Sequence, residues 1–151
     1  MADHIDNALL RHEEVGSSPF SRHLPLPDSF KARSVITLTL PWPPSTNTVW
    51  RNVHGRTLLS RKGRQFRKDV ATAVAGQHQS DPLAARLDVV VTLLPPDRRK
   101  RDIDNHGGKA LLDALTHAGI WLDDEQIDRL TIIRGERMAG GQCLVEIKEA
   151  A

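Results

Sequence analysis

The sequence predicts a small α+β domain, with a mixed sheet of about four strands and two main helices packed on it. Three observations predict it. Two apolar, β-branched runs, residues 35–40 and 87–94, are each stopped by proline. Two other stretches repeat apolar residues at helical spacing. Strand and helix signals alternate along the chain before two final strands. The 151 residues make one ordinary domain, and 39% hydrophobic with 26% charged residues is a folded, soluble composition. With 4% aromatics and no Tyr, the core must be built mainly from Val, Leu, Ile and Ala.

Residues 1–34 read as a poorly ordered extension, broken by Gly16-Ser17-Ser18-Pro19, with at most a short helix over 8–14. The domain proper is 35–151. Its first strand, Val35 to Leu40, runs into Pro41-Trp42-Pro43-Pro44-Ser45-Thr46-Asn47, where three prolines impose a loop. Ser60 is the N-cap expected for a helix reaching about Gln77, with Phe66, Val70, Ala73, Val74 and Gln77 on one stripe. Leu87 to Leu94 is the second strand. A second helix is expected over 109–118, ended by Gly119. Residues 129–135 and 143–148 read as strands joined around Ala139-Gly140-Gly141, a hairpin signal.

Several classes are excluded. Cys143 alone makes neither an internal disulfide nor a Cys-rich zinc site, and it reads as a half-buried strand residue. No apolar run reaches the roughly eighteen residues of a membrane span, and the first twenty residues lack a leader pattern. A cytoplasmic protein associated with the nucleoid, without a membrane partner, is expected.

The net charge of +2 conceals an ordered distribution. Residues 51–101 carry twelve Lys or Arg against four acids, a net +8. Residues 102–128 carry seven acids against one Lys, a net −6. The sign changes between Arg101 and Asp102, where Arg98-Arg99-Lys100-Arg101 meets Asp102-Ile103-Asp104. In extended backbone, residues i and i+2 face one side, so both carboxylates would aim at one point. A hard divalent cation relieves that repulsion, and Mg²⁺ commonly takes one or two carboxylates together with phosphate and water. Such a pair beside an Arg-rich stretch suits metal-assisted phosphodiester cleavage. A solvated face with locally paired charges is the plainer alternative. Leu122-Asp123-Asp124-Glu125 offers a third acid, although Asp123 could instead cap the following turn.

The motifs Leu40 to Asn47, Gly55-Arg56-Thr57 with Ser60, Pro96 to Asn105, Leu112 to Leu115 and Gly119 to Asp124 resemble the RusA family of Holliday junction resolvases. They follow in the family's order from about Val35 to Lys148. The resemblance implies a homodimer that binds four-way DNA junctions and nicks two opposing strands with Mg²⁺ or Mn²⁺. Members of that family are common on phages and prophages. It also implies that Asp102, Asp104 and Asp124 are the essential carboxylates. Asn105 matches the asparagine following the pair, and Ser45 and Asn47 match polar residues of the Pro-rich loop. For Asn47, an Asx-turn that holds the loop is the competing role.

One departure stands out. The family pattern puts two residues between that asparagine and a lysine important for cleavage, whereas His106, Gly107 and Gly108 precede Lys109. Absorbed within a helix, one extra residue would turn Lys109 by about 100°; the Gly-Gly pair could instead bulge and delay the helix. His106 reads as a surface histidine, with proton donation as the alternative. The expected function is therefore a Mg²⁺-dependent junction endonuclease working through metal-activated water. Phosphates would be tracked by Arg61, Lys62, Arg64, Lys68, Arg98, Arg99, Lys100 and Arg101. The alternatives are a catalytically impaired junction-binding protein, or a nuclease preferring other branched DNA.

Overall fold

A computed structural model describes residues 34–151. The extension and its expected helix over 8–14 lie outside the described residues. Leu38 and Leu40 alternate with exposed threonines along the first strand, β1 (Ile36–Pro41). The eight residues of β4 (Leu87–Leu94) alternate strictly between buried and half-buried, as a central strand must. Around them the sheet runs β1-β6-β4-β5, with β5 at Ile127–Arg134 and β6 at Gln142–Glu149. β6 is antiparallel to both β1 and β4, whereas β4 and β5 are parallel. A parallel pair needs a long crossover, and the chain from Pro95 to Gln126 supplies it.

The expected hairpin of the last two strands does not exist. β5 and β6 never pair, because β4 lies between them. The glycine turn is real, with Gly140 and Gly141 at φ 81° and 68°. It belongs to a seven-residue passage across the end of β4, where the amides of Gly135 and Met138 donate to the carbonyls of Leu93 and Pro95. That length exceeds a tight hairpin loop.

A hairpin does form where none was expected. β2 (Trp50–Val53) and β3 (Arg56–Leu59) pair antiparallel around His54-Gly55, at φ 50° and 76°. Positive φ at both turn positions fits a two-residue hairpin loop. A single turn of helix, α1 (Thr46–Val49), precedes it.

α2 (Arg61–Gln77) starts at Ser60, whose Oγ accepts from the Gly63 amide. It buries Gly63, Phe66, Val70 and Val74. A Cβ on Gly63 would come within 2.7 Å of the Val49 carbonyl oxygen, so only glycine lets α2 approach α1. At the other end of α2, Gln77 exchanges two hydrogen bonds of 2.7 Å with the backbone of Thr39. This occupies part of the otherwise unpaired edge of β1. α4 (Lys109–His117) adds Ala110, Leu111, Ala114 and Leu115 to the same core.

The core is aliphatic as expected, with Phe66 and Trp121 as its aromatic members. The sheet's opposite face is barer. Val90, Thr92 and Leu144 are half-buried there and Ile133 is 45% exposed. Cys143 is fully buried, not half-buried, and burial pushes its thiol up to about 12. The native protein should therefore resist iodoacetamide at pH 8 and react once unfolded in guanidinium. Rapid alkylation of the folded chain would contradict this packing.

Candidate active site

After β4, Pro95 and Pro96 stop the strand and Asp97 folds the basic run. Asp97 Oδ1 accepts from the Arg99 amide at 2.9 Å, while the Arg101 guanidinium donates to both carboxylate oxygens at 2.7 and 3.0 Å. Arg101 foremost, and then the Arg99 amide, hold the Asp97 carboxyl far below the usual carboxylate range. Arg101 also lies 5.7 Å from the Trp42 ring centroid, with its side chain only 17% exposed. Of the four consecutive cations, Arg98, Arg99 and Lys100 are therefore exposed, and Arg101 braces the loop.

Asp102 and Asp104 are both exposed where this loop enters a short helix, α3 (Ile103–Gly107). Asp102 is the N-cap residue, with extended backbone, and its side chain makes no capping bond. The argument from strand alternation fails, because a helix starts at Ile103 and successive residues there turn by about 100°. The carboxylates instead share an uncommitted, acid-favouring helix start.

Gly108 (φ −96°, ψ −134°) ends α3 and precedes α4. The extra residue is thus absorbed in a break between two helices instead of rotating a continuous one. Lys109 opens α4, with its Nζ 3.6 Å from Asp113 Oδ2, and its charge acts on Asp124.

The third acid rides on a 3₁₀ turn, Asp124–Gln126. Asp123 is its cap, accepting from the Glu125 amide at 2.9 Å, which leaves Asp124 as the candidate. Burial raises the Asp124 carboxyl above its ordinary value, as do Asp123 and Asp113, and Lys109 opposes them. Gln126 holds the turn. Its Oε1 accepts from the Leu122 and Asp123 amides, and its Nε2 donates to the Leu83 and Ala85 carbonyls, all at 2.8–2.9 Å. Arg86 braces the far side against Glu125 and Asp128, and holds the Asp128 carboxyl low.

The Pro-rich loop is tied to α3 at two points. Thr46 Oγ1 donates to the Asn105 carbonyl at 3.0 Å, and His106 Nδ1 lies 2.8 Å from the Pro43 carbonyl. A carbonyl only accepts, so Nδ1 carries the proton. His106 is buried, not on the surface, and its ring centroid is 4.9 Å from that of Trp42. Ser45 caps α1 by accepting from the Asn47 amide, whereas Asn47 is exposed, so a serine turn and not an Asn47 Asx-turn holds the loop.

The oxygen donors suit a hard cation, and the raised Asp124 carboxyl marks negative charge that a cation would offset. Among the described residues, no three His, Cys, Asp or Glu side chains form a ready metal cage. Mg²⁺ does not require one, since it keeps several waters and takes one or two carboxylates.

Residues 41–148 match the family described as Endodeoxyribonuclease RusA. The chain belongs to the RusA family. It is 40% identical over 112 residues to the crossover junction endodeoxyribonuclease RusA of Enterobacteria phage 82, covering 74% of this chain and 92% of that one. Against the phage HK97 protein of the same name, identity is 42% over 110 residues, covering 73% and 91%. Against the Escherichia coli K12 protein it is 39% over 116 residues, covering 77% and 96%.

The RusA match contains every candidate residue, from Ser45 to Asp124. Arg61, Lys62, Arg64 and Lys68 are exposed along α2. Sequence reasoning missed Asp113 and Gln126, and it misjudged His106. Asp113 had a usable signal, lying four residues after Lys109 on one helix face. In His106→Ala the Pro-rich loop loses one of its two ties to α3, and junction cleavage should fall on the order of tenfold. His106→Asn, whose amide can donate to Pro43, should recover most of it. Equal rates for His106→Ala and wild type would remove this role.

Proposed function

We propose that this chain is a divalent-metal-dependent endonuclease that resolves four-way DNA junctions by paired nicks, acting as a homodimer. The observation that carries the reading is the helix break at Gly108, after which Lys109 opens α4 with its Nζ 3.6 Å from Asp113 Oδ2. An extra residue within one continuous helix would turn Lys109 away, and a break between two helices supports the active reading over an impaired enzyme.

Asp102, Asp104 and Asp124 would hold Mg²⁺ or Mn²⁺. Bound there, the cation supplies positive charge at the phosphodiester and acidifies water near neutral pH. Lys109 contributes a fixed ammonium at the scissile phosphate or its leaving oxygen. Water adds to phosphorus as the bond to the leaving oxygen breaks, and that oxygen takes up a proton. Arg98, Arg99, Lys100, Arg61 and Lys62 supply backbone contacts in the exposed positive strip, with Ser45, Asn47 and Asn105 beside the reacting strand. Arg101 acts through its brace on the loop.

A two-fold dimer matches the symmetry of a junction needing two cuts. The barer sheet face, with Val90, Ile133 and Leu144, is the surface we assign to it. A monomer by light scattering at micromolar concentration would reject that part.

The reading is tested by incubating the protein with a synthetic four-way junction, a fork and a linear duplex across one Mg²⁺ titration. Symmetric paired nicks in the junction, and little cutting of the others, are expected. Tight binding with no nicks at any metal concentration would make this a binding protein. Preferential cutting of the fork would make it a different branch nuclease. Binding should also weaken steeply with salt.

A further inference from the structure

A second basic feature lies away from the carboxylates. At the far end of α4, a hollow of about 360 Å³ is lined by Arg64, Arg67, Lys68 and His117 over a floor of Leu59 and Ala71. No acid lines it. Three elements build it: the end of β3, the middle of α2 and the last residue of α4. Arg64 is fixed there by a 2.7 Å hydrogen bond from its guanidinium to the Leu59 carbonyl. Arg67 is half-buried, so its aliphatic stem is part of the wall and its charge is held at the rim.

We infer that this hollow is a second backbone-binding site, which grips the phosphate–deoxyribose chain of a junction arm at a distance from the scissile phosphate. The inference rests on the junction-nuclease reading and adds a defined place and spacing to it. Its chemistry fits that ligand in two respects. Fixed guanidinium and ammonium groups pair with phosphate oxygens, and Arg does so in a bidentate fork. The apolar floor of Leu59 and Ala71 accepts the face of a sugar.

The spacing follows from α4. Lys109 and His117 are eight residues apart on one helix, about 12 Å along its axis. Duplex DNA advances about 3.4 Å per phosphate along each strand. Each phosphate also winds about the axis, so a straight span of about 12 Å covers about two phosphates, and the hollow would hold one about two positions from that beside Lys109. This separates it from the Arg98–Arg99–Lys100 strip, which adjoins Asp102 directly. Arg67 and His117 play no part in the reading of the active site, yet both line this hollow.

The test uses the full chain, a four-way junction and a linear duplex, with binding measured in EDTA so that nothing is cut. Arg67→Ala/Lys68→Ala should bind both DNAs about tenfold or more weakly, and the slope of log affinity against log salt should become shallower by about 1.8 for two lost phosphate contacts. Arg67→Lys/Lys68→Arg, which keeps the charges, should retain most of the affinity and guards against a folding defect, which thermal melting checks independently. Neutral methylphosphonates at the second and third phosphates on either side of the cut should weaken wild type, and should add little to the alanine variant. Unchanged affinity and slope in a folded alanine variant would overturn the proposal. So would independent, fully additive effects of the protein and DNA changes. Failure of the wild type to cut junctions would instead count against the nuclease reading, and the binding results would still decide the hollow.

Discussion

Asp104→Asn is expected to abolish junction cleavage while junction binding in EDTA is retained. The carboxylate is exposed at the start of α3 and has no structural partner, so its loss should leave the fold intact. Losing one charged cation ligand removes several kcal/mol of transition-state stabilisation, on the order of a thousandfold in rate. Asp81→Asn, exposed in the loop before β4, is a charge-matched control that should cut normally. Single-turnover assays with saturating protein and Mg²⁺ measure the difference. Cleavage by Asp104→Asn at the wild-type rate would refute the carboxylate assignment.

Gln126→Leu should have the largest effect on stability. Leucine fills similar space but makes none of the four hydrogen bonds. The Ala85 carbonyl and Asp123 amide then lose the partner described above. The Leu83 carbonyl and Leu122 amide keep only a 3.3 Å bond to each other. Leaving such part-buried groups unpaired costs roughly 2 kcal/mol in all, which lowers Tm by about 5–10 °C for a domain of this size. Calorimetry with and without the substitution gives the answer. Because the same amide holds the turn under Asp124, cleavage at permissive temperature should fall too. A melting point within a degree of wild type would mean that the anchor is unimportant.

What could be read from the sequence was local. The N-cap at Ser60, the buried stripe of Phe66, Val70 and Val74, and the strand ended by Pro95 all depend on neighbours within a few residues. Pairing order does not. Residues 127–134 and 142–149 both look like strands joined by a glycine turn, and nothing local says that β4 enters between them. The two carboxylates could be identified, but their setting could not, since α3 is a five-residue helix too short to carry a periodic signal. Asp124 was distinguishable from Asp123 by resemblance, and the capping role open to Asp123 is the one it takes. His106 was unreadable for the same reason as Gln126: each contacts backbone far away in sequence, at Pro43 and at Leu83 and Ala85. Buried polar residues with distant partners look like surface residues until the chain is folded.

The place of β6 also bears on how the protein is made. As the last strand in chain order among the described residues, it separates β1 from β4. A ribosome therefore adds the Pro-rich loop and all three candidate carboxylates to the chain before residues 142–149 exist to join the two halves of the sheet. Until then, no framework holds the Pro43–His106 and Thr46–Asn105 ties in register. An unfinished chain would carry the chemistry of a nuclease without its geometry, so DNA near the site of synthesis meets a cutting enzyme only after translation has passed Glu149.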